Sequence, residues 1–172
     1  MVSHHTASHG GFHLTTERNA KVHPLLRSDE GFYEEDCRWA AVAITFPALF
    51  TTYERRVAEK TLKDCDPDKW EATTDVVLAP GESHEKDSRS FEAAHADDWI
   101  VIAALHSDHQ SGMTEVIATR GGRRDPHIEE RRFLVPSAEY QVDRFGFVID
   151  ESRHVVYHGP PSFVSWREEV AL

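Results

Sequence analysis

Hydrophobic and polar positions follow three rhythms along this chain. From Trp39 to Phe46 apolar residues face all directions, which predicts a helix buried on most of its sides. The helix is expected over 28–46, with Ser28 or Asp29 as its cap, or starting later at the turn of Gly31. Glu34, Glu35 and Asp36 then fall in its first turns, where carboxylates complement the helix dipole. Arg38 follows four residues after Glu34, the spacing of an exposed ion pair. After Pro47, well suited to a first helical position, the rhythm becomes amphipathic. Leu49/Phe50, Tyr53, Val57 and Thr61/Leu62 form a stripe at spacings of three and four. Glu54, Arg55, Arg56, Glu59, Lys60 and Lys63 make the opposite, solvated face. Pro67 opens a short helix that points Trp70 inward, and 73–82 is a linker. Ser83 caps a polar third helix over 84–96, with Phe91 and Ala94 as its thin stripe.

From Trp99 the period becomes extended. Residues 99–106 (WIVIAALH), 113–120 (MTEVIATR) and 132–136 (RFLVP) read as three strands. Two more, 145–149 and 154–157, flank the tight turn Asp150-Glu151-Ser152. Gly159-Pro160-Pro161 ends the sheet, and Phe163 and Trp166 are expected to tuck against it. Ahead of the helices, 12–26 alternates weakly (Phe12, Leu14, Val22), which predicts a hairpin turning at Glu17-Arg18-Asn19-Ala20. Residues 1–11 are small and polar and read as a mobile tail. The order of elements predicts an α+β fold: two or three N-terminal helices packed on a C-terminal antiparallel sheet of about four to five strands. A single domain over 12–172 is expected, with a helical half (28–98) and a meander (99–158).

Composition adds constraint. At 172 residues, 40% hydrophobic and 28% charged, the chain can bury a core without disulfides or metal. Cys37 and Cys65 form no paired-cysteine motif, so both are expected to be free thiols, with Cys37 buried in the first helix. No stretch approaches 18 consecutive apolar residues, and the N-terminus lacks the blocks of a signal peptide; a cytoplasmic protein with no membrane partner is expected. The net charge of −11 is unevenly placed: residues 28–98 carry 18 acidic and 8 basic residues, net −10. Such a surface repels nucleic-acid phosphates and attracts a basic partner. It is equally the ordinary solubility charge of a bacterial protein.

Candidate chemistry is sparse. His106-Ser107-Asp108-His109 closes a strand with two histidines and a carboxylate, resembling the end of the H-x-H-x-D-H motif of two-zinc hydrolases. The upstream histidine position is Ala104, so a full site needs distant ligands such as His84, His95 or His154. A plain hairpin loop is the competing reading. His4, His5 and His9 are irregularly spaced for a metal tract. No nucleophile elbow is present, and Gly121-Gly122-Arg123-Arg124 matches neither phosphate-loop pattern. With Arg131 and Arg132 it forms the basic cluster of the chain. The last constellation is acidic: Asp29, Glu30, Glu34, Glu35 and Asp36, then Asp64, Asp66 and Asp68. An antiparallel helix pair brings both groups to one end. The spacing lacks the glycine and distant glutamate of an EF-hand, so no metal and no cofactor is expected there.

Several phrases, EGFYEEDCRWAAVAITFP, LFTTYERR, RRFLVPSAEYQVDRFGFVID and VYHGPPSFVSW, resemble a family of small uncharacterised proteins of conjugative plasmids and integrative elements, often encoded near antirestriction proteins. The resemblance spans roughly residues 12–168 and transfers no catalytic residue. It implies a mobile-element setting in which small acidic proteins inhibit host defence. The expectation is a non-enzymatic inhibitor of the antirestriction or anti-CRISPR kind. Its partner surface is Glu30, Glu34, Glu35, Asp36, Asp64, Asp66 and Asp68, facing a basic nucleic-acid-binding groove. The alternatives are a small metal-dependent hydrolase using His106, Asp108 and His109, or a structural accessory of conjugation.

Overall fold

The computed structural model of the chain describes residues 1–5 and 10–164. It is a mixed α+β protein in two compact units, Met1–Arg89 and Ser90–Leu172. Among the described residues five α-helices lie mostly in the first half, and two antiparallel sheets, of three and four strands, account for the strands.

The first unit begins with a sheet where a tail was expected. Strand β1 (Val2–His5) pairs with β2 (Gly10–His13), which pairs with β3 (Phe32–Glu34). The polar residues of 2–5 hide this, because an edge strand is held by backbone hydrogen bonds and needs no apolar pattern. Gly11 allows the close approach: a β-carbon there would collide with the Tyr33 carbonyl oxygen and with the Phe32 ring. The segment expected to return as a second strand is instead α1 (Thr16–Asn19), capped by Thr15, followed by a 3-10 turn at Pro24–Leu26. Its weakly alternating residues still find the core, since Leu14 and Val22 are both buried beside Tyr33.

The helix expected over 28–46 is also corrected. Gly31 adopts φ +71, and its carbonyl accepts from Leu14 N at 2.9 Å. Phe32–Glu34 then continues as β3, with Tyr33 fully buried. The Tyr33 hydroxyl donates to Asn19 Oδ1 at 2.6 Å and accepts from Ser28 N at 3.1 Å. Pairing with β2 satisfies this backbone, so the acidic residues 34–36 lie in a strand end and turn rather than a helical first turn. The helix proper, α2, is Trp39–Thr45.

Residues Pro47–Leu49 form a 3-10 turn before α3 (Thr52–Cys65). Thr51 and Glu54 make a capping box: Glu54 N donates to Thr51 Oγ1, and Thr51 N donates to the Glu54 carboxylate. The expected stripe holds in part: Leu62 is buried and Phe50, Val57 and Thr61 are half-buried, but Leu49 and Tyr53 are 54% and 66% exposed, and Ala58 is buried in their place. Ala40 and Ala43 of α2 pack against Ala58 and Leu62, small residues that let the two helices approach closely. Helix α4 (Pro67–Thr74) opens on Pro67 and sends Trp70 into the same cluster, and α5 (His84–Ala94) follows. Ser83 caps α5 through Lys86 N, and its hydroxyl donates to Lys63 O at 2.6 Å.

The second unit holds the sheet β4 (Trp99–His106), β5 (Met113–Arg120), β6 (Glu130–Pro136) and β7 (Val155–Val156), in that order and all antiparallel. One face carries the core: Trp99, Val116, Ala118, Phe133 and Val135, joined by Ile149. The strand expected over 145–149 forms isolated bridges instead, Ile100 to Val148 and Asp143 to Gly146. It runs beside β4 all the same, with Val101 N donating to Phe147 O and Ile149 N to Trp99 O. Phe163 is half-buried, and Trp166 lies outside the described residues.

Candidate functional site: an acidic surface pinned by a disulfide

The two cysteines expected to be free are joined to each other. Cys37 lies in the turn before α2 rather than inside a helix, and Cys65 ends α3. Antiparallel packing of α2 on α3 places their Cα atoms 6.4 Å apart, within the range a disulfide spans. A pair 28 residues apart that meets only through helix packing leaves no spacing motif to read. Closing a loop of that size restricts the unfolded chain and is worth about 3–4 kcal/mol in the chain-entropy treatment.

This bond determines where the acidic residues go. Asp36 precedes one half-cystine, and Asp64 and Asp66 flank the other. The two acidic stretches therefore meet at one end of the α2–α3 pair, as expected, although the helix assigned to carry the first does not exist there. Their electrostatic states differ. Asp64 pairs with Lys60 and accepts from His84 N at 2.9 Å. Asp66 pairs with Lys69 at 3.0 Å, and Asp68 with Arg89 at 2.8 Å. Arg89 also holds Glu85, and these two carboxylates raise its pKa above the ordinary arginine value. Among the described residues, none of Asp29, Glu30, Glu34, Glu35 and Asp36 makes an ion pair, and all five are exposed. Arg38 lies between the stretches. It lines a shallow depression of about 260 Å³ with Asp29, Glu30 and Glu34, and a smaller one of about 60 Å³ with Cys37, Asp66 and Lys69.

A second feature of this unit escaped sequence reading. Between β2, the turn after β3, and the starts of α2 and α3 lies a cavity of about 190 Å³. Phe12, Trp39 and Phe50 wall it, and Glu35 and Glu54 stand at its edge. Phe12 and Phe50 meet edge to face at 5.6 Å, and Trp39 is tilted against Phe50 at 6.3 Å. All three rings are half-buried. Hydrogen bonds from the Thr51 side chain and backbone hold the Glu54 carboxyl below the usual carboxylate range. These residues are scattered over 12–54, so no linear pattern joins them.

The other candidates do not converge. His106, Asp108 and His109 are exposed on the β4–β5 hairpin, and Asp108 N donates to Ser162 Oγ at 3.0 Å. His95 pairs with Asp98 at 2.7 Å, while His154 is buried and its Nδ1 accepts from Asp150 N. Among the described residues no group of three or more His, Cys, Asp or Glu is placed to hold a metal ion. His9 and the side chains of His4 and His5 lie outside the described residues.

The basic cluster separates as well. Arg124 donates to Ile102 O at 2.6 Å, and Arg131 pairs with Glu129 while standing 4.5 Å from the Trp99 ring centre, with Arg120 at 4.2 Å. Arg132 is buried and donates to Glu115 Oε1 at 2.9 Å and Gly159 O at 2.8 Å. Glu115, wholly buried, also accepts from Ser162 N at 3.1 Å. This pair has the geometry of a structural tie.

The fold and this site define an α+β protein whose N-terminal unit carries an outward acidic surface and an aromatic cavity. Residues 1–96 match the model of a domain of unknown function, DUF7007, and the chain belongs to that family. The matched span ends just past the boundary of the first unit. No curated protein and no solved structure matches the chain. No helix among the described residues is long and apolar enough to cross a membrane.

Proposed function

We propose that this protein is a non-enzymatic interaction protein that offers the acidic surface of its first unit to a basic, nucleic-acid-binding groove of a cytoplasmic partner. The observation that carries this reading is the cluster of five exposed carboxylates at 29–36 without an ion pair among the described residues. Unspent charge on a surface steers and orients an oppositely charged partner. The partner surface proposed from sequence narrows to Glu30, Glu34, Glu35 and Asp36. Asp64, Asp66 and Asp68 are already answered by Lys60, Lys69 and Arg89. The resemblance to proteins of conjugative elements makes a restriction or CRISPR nuclease the partner of choice.

The test is inhibition of purified restriction and CRISPR nucleases by the full chain, across a salt series. Inhibition that weakens steeply between about 0.05 and 0.5 M salt fits the reading. It should be lost in the triple variant Glu34→Lys, Glu35→Lys, Asp36→Lys. Unchanged inhibition in that variant, or none at any salt, refutes it.

A further inference from the structure

The cavity between β2, α2 and α3 combines features that an apolar ligand site does not need. Its walls are three half-buried aromatic rings, Phe12, Trp39 and Phe50. Its edge carries two carboxylates, Glu35 and Glu54. Ring faces carry negative quadrupole density and attract cations, Trp most strongly. Glu35 is exposed and makes no ion pair among the described residues. The Glu54 carboxylate uses one oxygen, Oε2, for both of its bonds to Thr51, and Oε1 makes no hydrogen bond among the described residues. That capping box also answers the positive end of α3, so the helix start does not oppose a cation here. The nearest arginines of α3 are engaged away from the cavity: Arg55 donates to Thr52 Oγ1, and Arg56 lies over the Tyr53 ring. Among the described residues no lysine, arginine or histidine lines the cavity.

We propose that this cavity is an arginine-binding site, seating one arginine side chain of the basic partner as its anchor. A guanidinium fits both elements at once. It is flat, stacks on an indole, and carries five donors for carboxylate oxygens. A quaternary ammonium has no donor for Glu35 or for the open oxygen of Glu54. A lysine ammonium is a compact, strongly hydrated point charge that stacks poorly. The cavity volume of about 190 Å³ leaves room for a side chain to enter from outside. An arginine anchor of this kind dominates binding energy at protein interfaces. The inference rests on the basic-partner reading and adds to it the residue that partner must present.

The experiment titrates full-length protein with the capped tripeptide acetyl-Gly-Arg-Gly-amide and follows the indole N–H resonances, Trp39 being assigned by its loss in Trp39→Phe. Selective, saturable movement of the Trp39 resonance is expected. Binding should fall at least roughly tenfold with the neutral isostere, citrulline, in place of arginine. A similar loss is expected in Glu35→Gln, while Glu139→Gln in the second unit leaves it unchanged. Equal binding of the citrulline or lysine peptide, or of tetramethylammonium, overturns the assignment. So does an unaltered affinity in Glu35→Gln, a surface substitution that does not threaten folding. Failure of the peptide to move Trp39, alongside nuclease inhibition lost in the lysine triple variant at 34–36, defeats the anchor and leaves the acidic-surface reading standing. Peptide binding at Trp39 without any nuclease inhibition supports the anchor and defeats the nuclease partner.

Discussion

Residues 29–36 and residues 64–71 are both acidic, and one disulfide brings them together, yet they hold their charge in opposite ways. The second stretch lies at a helix end and along the next helix. There, partners fall at helical spacing or on a neighbouring helix: Lys60 for Asp64, Lys69 for Asp66, Arg89 for Asp68, Lys86 for Glu71. The first stretch lies in a strand end and turns, and among the described residues its carboxylates make no ion pair, although Arg38 shares a depression with three of them. Two acidic stretches thus give a spent surface in one place and an available surface in the other. A charge count along the chain cannot separate the two; backbone geometry does.

The largest test takes a carboxylate that is neither. Glu115 is sealed in the second sheet against Arg132. Glu115→Ala should cost about 3–5 kcal/mol in urea unfolding, because it strands a buried guanidinium. A loss under about 1 kcal/mol would mean that solvent reaches the pair. Next comes the clasp between the stretches. The double variant Cys37→Ser, Cys65→Ser should lose about 3 kcal/mol, and thiol titration of the native protein should find no free thiol. A native protein with two reactive thiols would break the comparison at its hinge.

Third, lysine at 34, 35 and 36 should weaken binding to a basic partner roughly a hundredfold, or about 2.7 kcal/mol, with an unchanged melting temperature. Asparagine at 64, 66 and 68 should do the reverse: a lower melting temperature with affinity held within about twofold. Equal effects on affinity would show that pairing does not silence the second stretch. The smallest effect is on acid stability. Glu54 and Glu71 both have pKa values lowered below the ordinary 4.5, Glu54 by its bonds to Thr51, Glu71 by Lys86 and then Leu78 N. Their contribution is therefore complete above about pH 4.5 and lost as pH falls through the lowered values. Thermal melts from pH 6 to pH 3 should show a decline below pH 4.5 that is shallower in Glu71→Gln.

Much of the second unit is legible in the sequence, and less of the first. Trp99–His106 and Met113–Arg120 carry β-branched and apolar runs long enough to identify strands, and both end where their patterns end, but their burial is not read: β4 is buried only at its start and β5 along nearly its whole length. Ser83 and Pro67 announce α5 and α4 by cap chemistry that acts within one turn. The three-stranded sheet gives no such signal. Glycine and histidine fill β1 and β2, and the acidic run after β3 imitates a helical first turn so well that α2 reads eleven residues too long at its start. The site divides along the same line. The meeting of the two acidic stretches is readable from helix pairing alone. The disulfide and the aromatic cavity need tertiary packing, because their residues come from elements and turns far apart in the chain.

The short strap after β7 carries a consequence for synthesis. Gly159 O and Ser162 N are hydrogen-bonding partners that reach the Arg132–Glu115 pair from late in the described chain. Until residue 162 has left the ribosome, β5 and β6 hold a glutamate and an arginine whose shell is incomplete. The first unit, with all its elements already out, can fold while the second is still waiting. The buried pair of β5 and β6 thus gains these two bonds only from chain synthesised 27 residues after Arg132 and 47 residues after Glu115.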